Sequence, residues 1–226
     1  MKVLSIESSC DETSASVVEI QDNVITVLSN ITATSLDLHS KTGGIIPENA
    51  AREQVKYIMP VIIQALIESN NETISTDDKE NYTRAQKILK QEIDSIAVTY
   101  GPGLIGSLLV GVETAKTLSF TLNKPLIPVN HLLAHLFANF ITHPNITFPF
   151  VGLIVSGGHT DLLYFKSISE YEWLGGTRDD AAGEALDKIG RLMNLSYPAG
   201  PEIEKRAKQG MQTKITFKSP IMNEDT

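Results

Sequence analysis

The first half of the chain contains short stretches in which apolar residues either alternate with polar ones or run together. These stretches lie at residues 2–7, 14–20, 23–32, 93–99 and 125–129. Alternation over four to eight residues is typical of half-buried strands, and short apolar runs are typical of buried ones. The pattern therefore predicts five strands before residue 130.

Two longer stretches have the spacing of helices. Apolar residues recur every three or four positions over 48–68, and a second helix is expected at 104–122, directly after the Gly101-Pro102-Gly103 break. Residues 69–82 are polar and without periodicity, which indicates an exposed loop, followed by a short helix at about 83–91. The order strand-strand-strand-helix-strand-helix-strand predicts a ribonuclease-H-like unit, an α/β layer fold with a mixed sheet.

The second half of the chain begins to repeat this pattern. The predicted elements are strands at 148–155, 160–166 and 171–174 and helices at 180–193 and 201–209. The closing strand-helix-strand of a second unit has no counterpart before residue 226. We therefore expect a first domain at 1–129, with a polar insertion at about 69–91, and the start of a second, truncated domain at 130–226.

Composition narrows the class of protein. The chain has 226 residues, of which 42% are hydrophobic, enough for packed cores. Its 19 basic and 27 acidic residues give a net charge of −8, so a grip on nucleic acid would need a local basic patch or a partner. Cys10 is the only cysteine, which excludes a disulfide framework and fits a reducing compartment. Glu7 comes too early for a secretory signal, and no apolar run approaches the ~20 residues of a membrane span, so we expect a soluble cytoplasmic protein.

His131 and His135 stand four residues apart, just after the apolar run 125–129. On a helix this spacing places both imidazoles on one face, where one metal ion could bind both nitrogens. The alternative is a helix with one exposed and one packed histidine. Spacing alone leaves both interpretations open.

Two predicted turns between paired strands carry small polar residues. Ser156-Gly157-Gly158-His159-Thr160 has the glycine content of a turn whose N–H groups bind a phosphate, although an ordinary hairpin has the same composition. The turn of the first half includes Asp11 and Glu12, whose carboxylates suit a cation, an oriented water or a proton-accepting role. A solvated acidic turn is the alternative there.

Residues 179–202, which follow the third predicted strand of the second half, contain further candidates for nucleotide binding. Asp179 or Asp180 is the predicted N-cap of a helix that continues through Asp187. Asp187 lies two turns beyond Asp180, where it would accept a hydrogen bond from a sugar hydroxyl or pair with a neighbouring Lys or Arg. The run Tyr197-Pro198-Ala199-Gly200-Pro201-Glu202 predicts a rigid turn that brings backbone close to an adenine or a ribose.

Six motifs occur in an order that resembles the bacterial TsaD family, the tRNA N6-adenosine threonylcarbamoyltransferases once described as O-sialoglycoprotein endopeptidases. The resemblance covers essentially residues 1–209 and implies an actin-like (ASKHA) fold of duplicated ribonuclease-H-like domains, the second incomplete. The motifs are Ile6-Glu7-Ser8-Ser9-Cys10-Asp11-Glu12-Thr13, Gly43-Gly44-Ile45-Ile46-Pro47-Glu48, Gly101-Pro102-Gly103-Leu104, His131-Leu132-Leu133-Ala134-His135, Ser156-Gly157-Gly158-His159-Thr160 and the stretch from Asp179 to Lys188.

The resemblance implies a reaction and its partners. The N6 amine of the adenosine beside the anticodon of ANN-reading tRNAs attacks the carbamoyl carbon of threonylcarbamoyl-AMP, and AMP leaves. Besides tRNA, the family works with a related non-catalytic subunit, TsaB, and an ATPase subunit, TsaE. A nucleotide, either threonylcarbamoyl-AMP or ATP/ADP, is expected in the cleft between the domains.

The resemblance also implies roles for individual residues. His131 and His135 would bind one divalent metal ion, Fe²⁺ or alternatively Zn²⁺, and Asp11, Glu12 and His159 match positions implicated in activity. The expected substrate-binding residues are Ile154, Val155, Ser156, Gly157, Gly158, Asp187, Gly200 and Glu204. A bound metal would act as a Lewis acid, and hydrogen bonds from the turn would stabilise developing charge.

The sequence departs from the family pattern at four points, one of which is the region 69–91, longer than in relatives. The family's third metal ligand, an aspartate near the C-terminus, has no match, so we expect a truncated chain that binds metal weakly and is inactive alone. Where relatives commonly have Pro-Gly-Gly-Pro, this chain has Pro198-Ala199-Gly200-Pro201. A histidine often seen after the Ala-Ser-Arg run of relatives is replaced around Arg52-Glu53-Gln54.

Three other functions fit parts of the pattern. A metalloprotease needs a glutamate beside the first histidine, and Leu132 and Leu133 stand there instead. An actin-fold kinase would use the phosphate turns but leaves the histidine pair unexplained. A non-catalytic scaffold of the same modification complex is the third alternative, although the related partner subunit lacks the histidines that this chain keeps.

Overall fold

The first sheet is built from the five strands that the sequence predicts. The computed structural model describes residues 1–22, 24–35 and 45–210. The strands are β1 (Lys2–Glu7), β2 (Glu12–Gln21), β3 (Val24–Thr34), β4 (Ser95–Gly101) and β5 (Leu126–Asn130). They lie in the order β3-β2-β1-β4-β5, with β2 antiparallel to β1 and β3, and with β1, β4 and β5 parallel. This mixed sheet confirms the predicted α/β class.

Three helices pack on this sheet and enclose its main core. They are α1 (Pro47–Glu68), α2 (Asp78–Gln91) and α3 (Ile105–Leu122). Buried apolar side chains from the strands and all three helices form one cluster, which includes Leu4, Ile6, Val17, Ile62, Leu66, Ile88, Ile96 and Ala115. Small residues on α3 let this helix approach β1 closely, since a Cβ at Gly111 would overlap the Ser8 hydroxyl. The helix that follows the Gly101-Pro102-Gly103 break is therefore held against the turn after β1.

The polar insertion holds more helix than its sequence predicts. Helix α2 begins at Asp78, not at residue 83, because the Asp77 carboxylate accepts hydrogen bonds from the N–H groups of Lys79 and Glu80. Asn81 is buried, and its side chain donates to the Ser75 carbonyl and accepts from the Ser75 N–H. A buried asparagine interrupts the apolar spacing, so periodicity alone could not detect the first turns of this helix.

A second, smaller sheet begins after β5. Two short helices, α4 (His131–Phe137) and α5 (Asn139–Thr142), lead into β6 (Phe150–Val155), β7 (Thr160–Phe165) and β8 (Tyr171–Gly176). These three strands pair antiparallel in the order β6-β7-β8, which repeats the arrangement of β1, β2 and β3. Helices α6 (Ala182–Leu192) and α7 (Ala199–Gln209) follow. The division into domains at residue 129 stays a prediction.

The second sheet has its own small core. Leu136 of α4 packs with Ile154, Leu163 and Phe165, and further phenylalanines surround them. Gly152 allows this contact, because a Cβ there would overlap the Leu136 side chain. The core fixes α4, and with it the histidine pair, between the two sheets.

Two further expectations concern the loop before α1 and the absence of membrane-spanning segments. The predicted glycine-rich loop before α1 includes Gly43 and Gly44, which lie outside the described residues. Among the residues that the structure describes, no helix is both long and apolar enough to cross a membrane.

Candidate active site

The turn between β1 and β2 is tied to the first half of α3. The Ser8 hydroxyl, fully buried, donates to the Ser107 carbonyl at 2.9 Å and accepts from the Gly111 N–H at 3.1 Å. The Ser9 carbonyl accepts from the Leu104 N–H at 2.7 Å. A Cβ at Gly103 would overlap that same carbonyl. Gly103 thus allows the close approach that anchors the acidic turn.

The histidine pair lies on a helix, as predicted, at the end of β5. The Asn130 side chain caps α4 by accepting from the N–H groups of Leu132 at 3.0 Å and Leu133 at 3.1 Å. The Nε2 atoms of His131 and His135 lie 3.2 Å apart, with the rings nearly perpendicular. Two imidazole nitrogens bound to one tetrahedral ion at about 2.0–2.1 Å would lie roughly 3.3 Å apart. The distance therefore fits two ligands of one metal ion, and it equally fits a direct hydrogen bond between the two rings.

A carboxylate supports the first histidine from behind. Nδ1 of His131 lies 3.2 Å from Oε2 of Glu7 and 3.2 Å from the Ser9 hydroxyl. Burial would raise the pKa of Glu7, but hydrogen bonds with His131, Ser9 and Thr99 outweigh it and lower the pKa to about 2. An ionised carboxylate on Nδ1 is the arrangement that commonly orients a metal-binding histidine. Within the described ranges, no group of three or more His, Cys, Asp or Glu side chains is placed to hold a metal ion.

The surroundings of the second histidine, His135, disfavour its charged form. Burial lowers the pKa of His135, and the neighbouring His131 lowers it further. A neutral imidazole is the form that binds a metal ion. His135 also lines a groove of about 450 Å³ that runs over the exposed face of the first sheet, next to Glu7.

The turn between β6 and β7 is compact and internally bonded. The Ser156 N–H donates to the His159 carbonyl at 2.8 Å. The Ser156 hydroxyl accepts from the N–H groups of His159 at 3.0 Å and Gly158 at 3.3 Å. A bound phosphate would therefore compete with the Ser156 hydroxyl for these two N–H groups.

This turn also caps α6, which corrects the predicted N-cap. The Ala182 N–H donates to the Thr160 hydroxyl at 2.9 Å, and the Gly183 N–H donates to the Ser156 carbonyl at 3.0 Å. Helix α6 has no side-chain cap of its own, so the prediction of Asp179 or Asp180 as N-cap was wrong. Asp180 instead pairs with Lys188 at 2.5 Å. The hairpin can replace a local cap because Gly183 packs directly on Ser156 and Gly157.

A cleft of about 870 Å³ lies between the two sheets and joins most of these features. Seven predicted site residues line it: Asp11, His131, Ser156, Gly157, Gly158, His159 and Asp187. The structure brings together both polar turns, the first histidine and helix α6. These groups come from segments separated by more than 100 residues of sequence, from Asp11 to Asp187.

The other predicted residues lie outside the lining of this cleft. Glu12 is exposed at the start of β2, and Val155 is 58% exposed at the end of β6. The Ile154 side chain is 5% exposed because it belongs to the second core, which leaves only its backbone for a ligand. Gly200 lies in the first turn of α7, and Glu204 pairs with Lys208 at 2.6 Å.

Asp187 has a structural partner that sequence reasoning did not identify. Its Oδ1 atom accepts from the Ala199 N–H at 2.7 Å and so closes the start of α7. The same carboxylate raises the pKa of Tyr197, after burial and the charge of Asp11. Asp187 therefore fixes the turn that carries Gly200 while it lines the cleft.

Sequence reasoning missed several cleft residues. Glu184, Lys188 and Arg191 lie on the same face of α6 as Asp187, and Tyr197 also lines the cleft. Spacing of three and four along a predicted helix would have identified the α6 residues once Asp187 was chosen. Glu7 was missed because it ends an apolar strand, and only the fold brings it to His131.

Comparison with known proteins supplies a family. The family model described as TsaD: tRNA N6-adenosine threonylcarbamoyltransferase matches residues 26–226. Proteins with that description include one from Clostridium kluyveri (strain ATCC 8527 / DSM 555 / NBRC 12016 / NCIMB 10680 / K1), 49% identical over 96% of this chain and 58% of the relative. Another, from Clostridioides difficile (strain 630), is 50% identical over 99% of this chain and 60% of the relative.

Solved structures give more distant matches. YeaZ from Pseudomonas aeruginosa is 12% identical, with a TM-score of 0.45 over 81% of this chain and 70% of that chain. The Ppx/GppA family member from Aquifex aeolicus is 13% identical, with a TM-score of 0.46 over 91% of this chain and 58% of that chain. The chain spans about 60% of the length of the curated relatives that it matches. At half-identical sequence over nearly all of its residues, it belongs to the TsaD family of tRNA N6-adenosine threonylcarbamoyltransferases.

Proposed function

We propose that this chain supplies the nucleotide cleft and the metal-binding histidines of a tRNA N6-adenosine threonylcarbamoyltransferase. In this reaction the N6 amine of the adenosine beside the anticodon of an ANN-reading tRNA forms a bond to the carbamoyl carbon of threonylcarbamoyl-AMP. The bond from that carbon to the phosphate oxygen breaks, AMP leaves, and the amine loses a proton. The single observation that carries the proposal is the cleft in which Asp11, His131, the Ser156–His159 turn and Asp187 meet.

The turns and helix α6 would hold the donor. The residues proposed for its binding are the backbone of Ile154 and Val155, the turn Ser156, Gly157 and Gly158, and Asp187, Gly200 and Glu204. A phosphate could approach the backbone of the turn closely, because Gly157 and Gly158 have no side chain and face open space. Lys188 and Arg191 also lie on the cleft face of α6, where Lys188 pairs with Asp180 and Glu184.

His131 and His135 would hold the metal ion, Fe²⁺ or Zn²⁺, with Glu7 orienting His131. The ion would supply Lewis-acid stabilisation of negative charge on the donor. The 3.2 Å spacing of the two Nε2 atoms supports this assignment. With the Glu7 carboxylate accepting from Nδ1 of His131, Nε2 would be the nitrogen that binds the ion.

A base must take the proton of the attacking amine. Of the three candidates, Asp11 and His159 line the cleft, and they lie on opposite polar turns. Glu12 is exposed at the start of β2, which gives it less support. The ring of His159 lies 6.4 Å from that of His131, centroid to centroid, so it stands close to the proposed metal site.

Partners and location belong to the same proposal. With a net charge of −8, this chain would share its grip on tRNA with other subunits, and TsaB and TsaE are the proposed ones. A cytoplasmic location follows from the tRNA substrate.

The proposal is tested with the full-length protein, its partner subunits and tRNA. Variants His131→Ala and His135→Ala are expected to lose threonylcarbamoyl transfer and bound metal while they keep partner binding. His143→Ala is the matched control, because His143 lies just past α5 and contacts Thr142 rather than the histidine pair. Full transfer in the doubly substituted protein would contradict the metal assignment.

A further inference from the structure

The side chain of Gln54, on α1, is enclosed beneath the turn between β1 and β2. Only 1% of the residue is exposed. Its Nε2 atom lies 3.0 Å from the Cys10 carbonyl, 3.1 Å from the Glu12 carbonyl and 3.3 Å from the Ser8 carbonyl. The backbone of residues 8–12 therefore wraps around one amide group.

The orientation of this amide follows from its neighbours. Three carbonyl oxygens can only accept hydrogen bonds, so the NH₂ end must face them. The Oε1 end is buried, and the described residues offer it no hydrogen-bond donor. An unpaired buried acceptor is costly, so any favourable contribution of this side chain comes from its two N–H donors rather than from its oxygen.

The same turn is tied from the opposite side by α3. The Ser107 hydroxyl donates to the Cys10 carbonyl at 2.9 Å, so that carbonyl accepts from two helices at once. Asp11 lies between the two carbonyls, of Cys10 and Glu12, that Gln54 holds, and its side chain lines the cleft. Whatever fixes those carbonyls also fixes the backbone of Asp11 and the point from which its side chain leaves the turn.

We propose that Gln54 is a positioning residue, whose buried amide holds the acidic turn in the conformation that directs Asp11 into the cleft. The inference rests on the proposed function only in treating Asp11 as part of the site. It assigns to α1 a direct part in shaping that site, through main-chain carbonyls that substitution of the turn residues would not remove.

The reactivity of the Cys10 thiol can report whether the turn is held in place. Cys10 lies within the turn, is partly buried, and is the only cysteine of the chain. Release of the turn exposes its thiol, so the rate of alkylation under native conditions measures how firmly the turn is held. The rate is measured in the 226-residue chain, together with the free energy of unfolding in urea.

Three variants separate donation of hydrogen bonds from packing. Gln54→Met keeps the length of the side chain but has no donor, and Gln54→Glu keeps the shape but opposes a carboxylate to three carbonyls. Gln64→Met is the control on the same helix, since Gln64 donates to Glu68 at the partly exposed side of α1. We expect alkylation of Cys10 to become about tenfold faster in Gln54→Met, faster still in Gln54→Glu, and unchanged in Gln64→Met.

The outcome that overturns the inference is equally specific. If Gln54→Glu alkylates at the wild-type rate, or if the rates change only as much as the global unfolding constant, Gln54 does not position the turn. A measurement on the wild-type chain covers the case in which the variants fail to fold. The side-chain N–H protons of Gln54 should exchange with deuterium far more slowly than those of Gln64, and equal exchange would also overturn it. None of these readouts depends on threonylcarbamoyl transfer, so failure of the proposed function would leave them standing.

Discussion

Glu7 and His131 lie 124 residues apart in the sequence, and the Oε2 atom of one meets the Nδ1 atom of the other at 3.2 Å. Because Glu7 has a low pKa, its carboxylate is ionised at neutral pH and can only accept, so Nδ1 of His131 is the donor in this hydrogen bond. Nε2 is then the ring nitrogen that faces His135. The first strand of the chain thus orients the ring of the first histidine.

Substitution of Glu7 should therefore weaken metal binding without touching a proposed ligand. Glu7→Gln keeps a hydrogen-bonding group beside His131 but removes its charge, and we expect metal affinity to fall by about 10- to 100-fold. The measurement is a competition titration of Zn²⁺ against a chromophoric chelator. Glu113→Gln, which alters an exposed carboxylate of α3 paired with Lys116, is the control and should bind as the wild type does. Equal affinities for both variants would remove Glu7 from the metal site.

A methyl group at Gly183 should separate α6 from the Ser156–His159 turn. A Cβ at this position would lie 2.8 Å from the Ser156 carbonyl and 2.8 Å from the Gly157 Cα, closer than real contacts allow. We expect Gly183→Ala to lower the free energy of unfolding by about 1–3 kcal/mol, as overpacking of an interior contact does. Urea denaturation measures the effect. Gly175→Ala is the matched control, because a Cβ at Gly175 meets nothing within 4 Å, and a similar loss there would show that the contact is not the cause.

Substitutions of Asp187 should separate its structural contact from its proposed contact with the nucleotide. Asp187→Asn keeps the oxygen that accepts from the Ala199 N–H, so its stability should stay within about 0.5 kcal/mol of the wild type. Asp187→Ala removes the cap of α7 and should cost about 1 kcal/mol. Both variants should bind AMP more weakly than the wild type in calorimetric titrations. Wild-type AMP binding in Asp187→Asn would leave Asp187 with a structural role alone.

The thiol of Cys10 should be unreactive at neutral pH. Burial, with the charge of Asp11 adding to it, raises the pKa of Cys10 to about 12. Only the thiolate reacts, so at about pH 8.5 iodoacetamide should alkylate Cys10 at least about tenfold more slowly in the native chain than in denaturant. Equal rates in the native chain and in denaturant would show that the turn does not bury the thiol.

The strands and helices could be predicted because their patterns are local. Alternating residues gave β1 to β5 to within a few residues of each end, and the apolar spacing of α1 and α3 gave helices that begin within one residue of their predicted starts. The beginning of α2 was misplaced because a polar residue, Asn81, occupies a buried position of the helix. A pattern of hydrophobicity does not record hydrogen bonds that satisfy a buried amide.

The site could be predicted only where its residues carry unusual chemistry. His131, the glycine turn and Asp187 stood out in the sequence and line the cleft, while their roles stay predictions. Glu7 and Gln54 could not be found in that way. Each acts on a segment far along the chain, and a single glutamate or glutamine has no local spacing that reveals its partner. The cap of α6 was misassigned for the same reason, since the donors of that helix bond to Thr160 and Ser156 of a distant turn.

That cap makes the hairpin turn and α6 a single mechanical unit. Since Thr160 and Ser156 close the first turn of the helix, a ligand that widens the turn must also displace the helix that carries Asp187. Contacts to the two ends of one bound molecule would then be coupled, each tightening or loosening with the other. A substitution in the turn that changes one contact is therefore expected to change the other as well.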